Sequence, residues 1–84
     1  MDAAELVKKR IKYLLKVNNL PMHRLSTYSG IPASTLKNII YSKSGNPGIV
    51  TIKAICDGLD ISLVDFFSSP EFDEPWKAKS KTIR

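Results

Sequence analysis

Apolar residues recur every three or four positions through most of this chain, and the polar breaks between them mark where one helix stops and the next begins. Val7, Ile11, Leu14 and Leu15 keep that spacing between Ala3 and Asn18. They predict a first helix, with Asp2 and Glu5 placed where acids favour a helix N-terminus. Asn18 and Asn19 end it. A second helix begins near Pro21, because proline's missing N–H would be unsatisfied in a first turn anyway, and it runs to Ser29. A third begins in the same way at Pro32 and ends near Tyr41. The segment SKSGNPG, Ser42 to Gly48, has the composition of an exposed loop. Ile52, Ile55, Cys56 and Leu59 are the inward positions of a fourth helix over Ile49 to Leu59. Ser62 with Asp65 three residues later forms a capping-box pattern opening a short fifth helix, Leu63 to Phe67. No segment alternates long enough to build a sheet. The expected fold class is therefore all-α, a compact bundle of about five short helices.

The stretch LSTYSGIPASTLKNII, Leu25 to Ile40, is the most informative part of that pattern. Gly30 tolerates the positive φ that ends one helix tightly enough for the next to cross it, and Ser26 is small enough to let the two backbones approach. Ile31, Leu36, Ile39 and Ile40 give the following helix an apolar side. Its opposite side is Ala33, Ser34, Lys37, Asn38 and Tyr41, the short polar and basic groups that suit a DNA major groove. This is a helix-turn-helix arrangement.

Eighty-four residues allow one small domain. It is expected over residues 1–67. Residues 68–84 contain two prolines and no periodicity, and read as an irregular or disordered tail in which Phe72 and Trp76 are candidates to dock on the domain or on a second subunit. Cys56, the single cysteine, has no partner for an internal disulfide. Lys8, Lys9, Arg10 and Lys12 interrupt the apolar runs at the N-terminus, so neither a signal peptide nor a membrane span of roughly 20 residues is expected. The reading is a soluble, cytoplasmic protein.

The net charge of +5 is unevenly spread. From Leu6 to Cys56 there is no acid, while Lys8, Lys9, Arg10, Lys12, Lys16, Arg24, Lys37, Lys43 and Lys53 fall within that stretch. From Asp57 to Glu74 the pattern inverts, and Lys77, Lys79, Lys81 and Arg84 close the chain. One region can face a polyanion without self-repulsion from acids, and another is unsuited to that contact.

Arg10 to Phe67 resembles the DNA-binding domain of phage-repressor (Cro-like, Xre-type) helix-turn-helix proteins, the lambda-repressor-like fold. The resemblance rests on an ordered set: Ile11 and Leu14; Leu20; Leu25, Ser26, Gly30 and Ile31 across the turn; Leu36 and Ile39; Asn46-Pro47; Ile52, Ile55 and Leu59; Ile61-Ser62; and Phe66-Phe67. It implies that helix 3 is a recognition helix. Ala33, Ser34, Lys37 and Asn38 would then meet base edges, with Lys37 donating to guanine, Asn38 pairing with adenine and Ala33 touching a thymine methyl group. The implied phosphate contacts are Met22, Thr35, Tyr41, Lys43 and Asn46, together with backbone N–H groups at the starts of helices 2 and 3. At Met22 the usual Gln or Thr clamp is missing. Where many relatives pair an Arg with a Glu between helices 1 and 3, this chain has Leu15 and Ile40, an exchange that avoids burying two ions and predicts an apolar contact.

Other residues have plainer accounts. His23 is expected on the exposed side of helix 2, without a metal or catalytic partner. Cys56 reads as a small apolar core residue, with redox sensing as the alternative. Tyr28 and Tyr41 either pack beside the helices or reach phosphates. Lys8, Lys9 and Lys12 form the solvated face of helix 1, with distant phosphate steering as the alternative. Trp76 is either an anchor or exposed.

No Ser/His/Asp or Cys/His set and no phosphate-binding Gly-rich loop supports an enzyme, and no cofactor or metal is called for. The reading is a sequence-specific double-stranded DNA-binding transcriptional regulator, a repressor at an operator. A homodimer is expected on DNA because one helix reads only a few base pairs, with a monomer in isolation. The rival is a protein-interaction or antitoxin-like module that uses the acidic helix 4–5 region and the tail.

Overall fold

The computed structural model describes residues 2–43 and 45–73, which form five α-helices and one 3-10 turn, without a strand among them. The helices are α1 (Ala3–Val17), α2 (Met22–Ser29), α3 (Ala33–Tyr41), α4 (Ile49–Leu59) and α5 (Leu63–Phe66). Asp2 caps α1 by accepting the Glu5 N–H at 2.9 Å, and Ser62 caps α5 by accepting that of Asp65 at 3.0 Å. Pro21 and Pro32 lie one residue outside α2 and α3, in extended conformation at the cap. Their carbonyls close the first turns by accepting from Leu25 at 3.1 Å and Leu36 at 3.0 Å.

Two helices end on a left-handed residue other than glycine. After α1, Asn19 has φ 52°, and its N–H donates to the Lys16 carbonyl while Leu20 donates back to Leu15 at 2.9 Å. After α4, Asp60 has φ 59°, and Ile61 donates to the Cys56 carbonyl at 3.0 Å. Both are Schellman closures, and Asn and Asp are among the side chains that tolerate this backbone region best.

Each helix contributes to one core. Val7, Ile11 and Leu14 from α1, Leu25 from α2, Leu36 and Ile40 from α3, Ile52, Ile55 and Cys56 from α4, and Phe66 from α5 are buried. Burial of each large aliphatic or aromatic side chain is worth roughly 1.5–3 kcal/mol relative to exposure. Leu15 packs half-buried on the same cluster as Ile40, so the two positions expected to exchange an ion pair for apolar packing share one core. Burial pushes the Cys56 thiol above its ordinary pKa, Asp57 adds to the rise, and Lys53 opposes it. The thiol is thus kept protonated and shielded at neutral pH.

Packing continues past Phe67 into the first residues of the stretch read as a tail, where Phe72 is a candidate to dock on the domain. Pro70–Asp73 form a 3-10 turn. It brings the Phe72 ring to 5.0 Å from Phe67 and 6.3 Å from Phe66, with Phe72 half-buried against the core. Arg10 ties this end to α1. Its Nε donates to the Phe66 carbonyl at 2.7 Å and its Nη2 to that of Asp65 at 2.8 Å, at the C-terminal end of α5 where a cation is favoured. Trp76 lies outside the described residues. No described helix is long and apolar enough to cross a membrane.

Candidate nucleic-acid interface

The turn between α2 and α3 is locked by its own polar groups. Gly30 sits at φ 79°, a backbone region that a Cβ would strain, and its N–H donates to the Ser26 carbonyl at 2.9 Å. Ser26 does more than allow close approach. Its hydroxyl donates to the Ile31 carbonyl at 2.7 Å, while the Ile31 N–H donates to Ser29 Oγ at 3.2 Å. The residue after the turn is therefore held from both sides, which fixes how α3 leaves α2. Leu25, Leu36 and Ile40, each at most 1% exposed, anchor the two helices from below.

With that side of α3 buried, the other is defined. Ser34, Thr35, Lys37, Asn38 and Tyr41 are exposed, and Ala33 is half-buried. Ser34, Lys37, Asn38 and Tyr41 follow the i, i+3, i+4, i+7 spacing of a single helical stripe. All four proposed base-contacting positions thus belong to one short helix, three of them exposed. Tyr41 is 64% exposed and Lys12 of α1 lies over its ring, with Nζ 5.0 Å from the centroid. That contact brings a second cation to the edge of α3, which helical periodicity on α1 alone could not reveal.

The proposed phosphate positions fall into different settings. Thr35, Tyr41, Lys43 and Asn46 are exposed around α3 and the loop after it. Met22 is half-buried and packs against the core. Neither α2 nor α3 has a side-chain cap or an acid in its first turn, and the same is true of α4 behind Gly48. The first N–H groups of a helix have no intrahelical acceptor, so these starts present donors and the positive end of the helix dipole.

The loop following α3 is folded against it. Gly45 donates its N–H to the Ser42 carbonyl at 3.2 Å, and a Cβ at Gly45 would stand 2.3 Å from the Ile39 carbonyl oxygen. Glycine is required there by close approach rather than by backbone angle.

Lys8 departs from the expected solvated face of α1. It is 4% exposed, and its ammonium donates to the Ser42 carbonyl at 2.7 Å, with the Lys43 carbonyl at 3.5 Å and the Glu5 carboxylate at 3.8 Å. The signal was in the sequence: Lys8, Ile11 and Leu15 share helical spacing, so Lys8 lies on the apolar stripe. Lys9, Lys12 and His23 are exposed as expected; Tyr28, for which the sequence leaves packing and phosphate contact both open, is exposed, with Arg24 Nη1 donating to its hydroxyl at 3.2 Å. No cluster of three or more metal-ligating side chains occurs among the described residues.

The model of the Cro/C1-type HTH DNA-binding domain matches residues 10–71. Among solved structures, the chain is similar to the crystal structure of prophage Lp1 protein 11, with 33% sequence identity, a TM-score of 0.75, and coverage of 88% of this chain and 97% of that one. No curated protein matches the chain.

Proposed function

The chain belongs to the Cro/C1-type helix-turn-helix DNA-binding family, and from that premise we propose that it is a transcriptional repressor that places α3 in the major groove of an operator. The observation that carries this reading is the two-sidedness of α3. Leu36 and Ile40 are sealed in the core while Ser34, Lys37 and Asn38 stand in solvent on a helix with no acid. Lys37 donates to guanine O6 or N7, Asn38 pairs bidentately with adenine, Ser34 supports either, and Ala33 offers apolar contact to a thymine methyl group. Thr35, Tyr41, Lys43 and Asn46, with the N–H groups of Met22 and of the first turn of α3, hold phosphates and set the register. Repression follows from occupancy of the site, without a catalytic step or cofactor. Two copies on adjacent half-sites roughly 34 Å apart extend the short reading frame of one helix.

Selection of bound duplexes from a random DNA pool tests this directly. The parent chain enriches a motif, and Lys37→Ala or Asn38→Ala changes the preferred base at one position and costs about 1–3 kcal/mol on the parent motif. Enrichment of no motif at low salt would overturn DNA recognition in favour of a protein-interaction role for the acidic α4–α5 side.

A further inference from the structure

We propose that Lys8 is the positioning residue of the recognition helix: from α1 it fastens the C-terminal end of α3 and the start of the following loop, and it does so without touching DNA. This inference rests on the reading of α3 given above. The ammonium is taken out of solvent, with a side chain only 5% exposed. A charge so placed must find acceptors, because an unpartnered buried cation is strongly unfavourable. It finds them 34 residues away, in the carbonyl of Ser42, the residue that caps α3, and at longer range in that of Lys43. Glu5, one turn back on α1, balances the charge from the other side.

The acceptors make the contact specific to the recognition element. Ser42 turns out of the helix with ψ 142°, so its carbonyl stands just past the negative end of the α3 dipole, where a cation is favoured. The same tie holds the backbone of Lys43, whose exposed side chain is a proposed phosphate donor, and it adjoins the Gly45 N–H bond to Ser42. Apolar packing through Leu36 and Ile40 is non-directional, and the Ser26, Ser29 and Ile31 bonds fix where α3 begins. The charged hydrogen bond from Lys8 is directional and falls at the other end, so Lys8 fixes where α3 ends. The neighbouring Lys9 and Lys12 remain in solvent.

A direct phosphate contact and a positioning role are separated by the salt dependence of binding. A lysine on a phosphate contributes about 0.9 to the slope of log K against log salt, whereas a lysine acting through the fold contributes nothing. Lys8→Met, which keeps an unbranched apolar stem, is expected to weaken binding to the selected duplex about tenfold with the slope unchanged. Ile55→Val, a core change in α4, serves as the comparator: at temperatures where both are folded, it leaves affinity unchanged although it too lowers the melting temperature. A slope smaller by about 0.9 in Lys8→Met would overturn the proposal, as would parental affinity or a loss equal to that of Ile55→Val.

Acetylation of the parent chain with an amine-reactive ester tests the tie itself even when Lys8→Met does not fold. The Lys8 amine is expected to react at least about tenfold more slowly than those of Lys9 and Lys12, equally with and without DNA. Lys37 and Lys43 slow only on DNA. Reaction of Lys8 at the rate of its neighbours, or protection that appears only with DNA, would overturn the proposal. A parent chain that binds no duplex defeats the DNA reading, while slow Lys8 labelling in that same free protein would still uphold the tie to the end of α3.

Discussion

At the start of α1 Asp2 accepts the N–H of Glu5, and at the start of α5 Ser62 accepts that of Asp65, with an acid in each first turn. The starts of α2, α3 and α4 have neither, since Pro21, Pro32 and Gly48 offer no side-chain acceptor and no acid follows. A Ser, Thr, Asp or Asn cap is worth about 1 kcal/mol. Three helices of one small domain forgo it. What they keep is a set of backbone donors and three positive helix ends available to an outside anion. The capped starts serve the stability of the domain, and the uncapped ones flank or form the helix-turn-helix. The chemistry of a helix start thus sets α2, α3 and α4 apart from α1 and α5, a division that charge does not draw, since α1 is as basic as the uncapped helices.

The largest effect is expected from giving α3 the cap that α1 has. Pro32→Asp adds a side-chain acceptor and a negative charge at the start of α3. Gain of the cap and loss of proline's restriction of the unfolded chain nearly offset each other, so stability stays within about 1 kcal/mol of the parent. Affinity for DNA falls about tenfold to a hundredfold, because the donors are occupied and the charge repels phosphate. Chemical denaturation and a binding titration on the same sample check both halves. Unchanged affinity would show that the uncapped start of α3 does not face an anion, and the comparison would fail at its central helix.

Next in size is Lys43→Gln. Removal of one exposed cation beside the end of α3 is expected to weaken binding several-fold on every sequence alike and to reduce the salt slope by about 0.9. A change in base preference instead would move Lys43 from the phosphates to the groove floor.

Much of this organisation is legible in the chain, and the residues explain where it stops. The apolar spacing of Ile11, Leu14, Leu36, Ile40, Ile52 and Ile55 marks the buried faces that are found, because periodicity records burial directly. The boundaries at Ser29 and Leu59 are set by Gly30 and Asp60, residues tolerant of the left-handed backbone there. Long-range polar contacts are another matter. That Lys8 reaches Ser42, or that Arg10 reaches Asp65 and Phe66, depends on how α1 crosses distant elements: helical spacing puts Lys8 on the apolar stripe but does not name the acceptor it meets there. The 3-10 turn at Pro70–Asp73 was hidden for a related reason. Four residues are too short to show a period, and Phe72 is held by Phe66 and Phe67 rather than by local pattern. At the candidate interface the exposed stripe of α3 was readable from helical spacing, whereas the place of Lys12 over Tyr41 was not.

The capped side should answer to the opposite test. Ser62→Ala removes the acceptor for the Asp65 N–H and is expected to cost about 1 kcal/mol in stability. DNA affinity of the folded protein stays at the parental value. A loss of affinity at temperatures where the variant is folded would mean that α5 supports the interface, so that stability and binding are not divided between helix starts as drawn here.

The smallest effect is expected at Asp57, the first acid after the long basic stretch. On α4 it pairs with Lys53 one turn earlier, and both side chains are more than half exposed. Solvent and salt screen such a pair, so Asp57→Asn should alter stability by no more than about 0.5 kcal/mol. Its effect on DNA measures distance, because exposed charges separated by more than about 8 Å at physiological salt interact little. If α4 meets DNA only through its uncapped start at Gly48, Asp57, two turns further on, lies beyond that range and affinity changes by less than about twofold. A rise of about tenfold on neutralisation would place the acid near phosphates. The boundary between the two sides would then run past the last turn of α4, and Lys53, released from its partner in the variant, would become a phosphate donor in its own right.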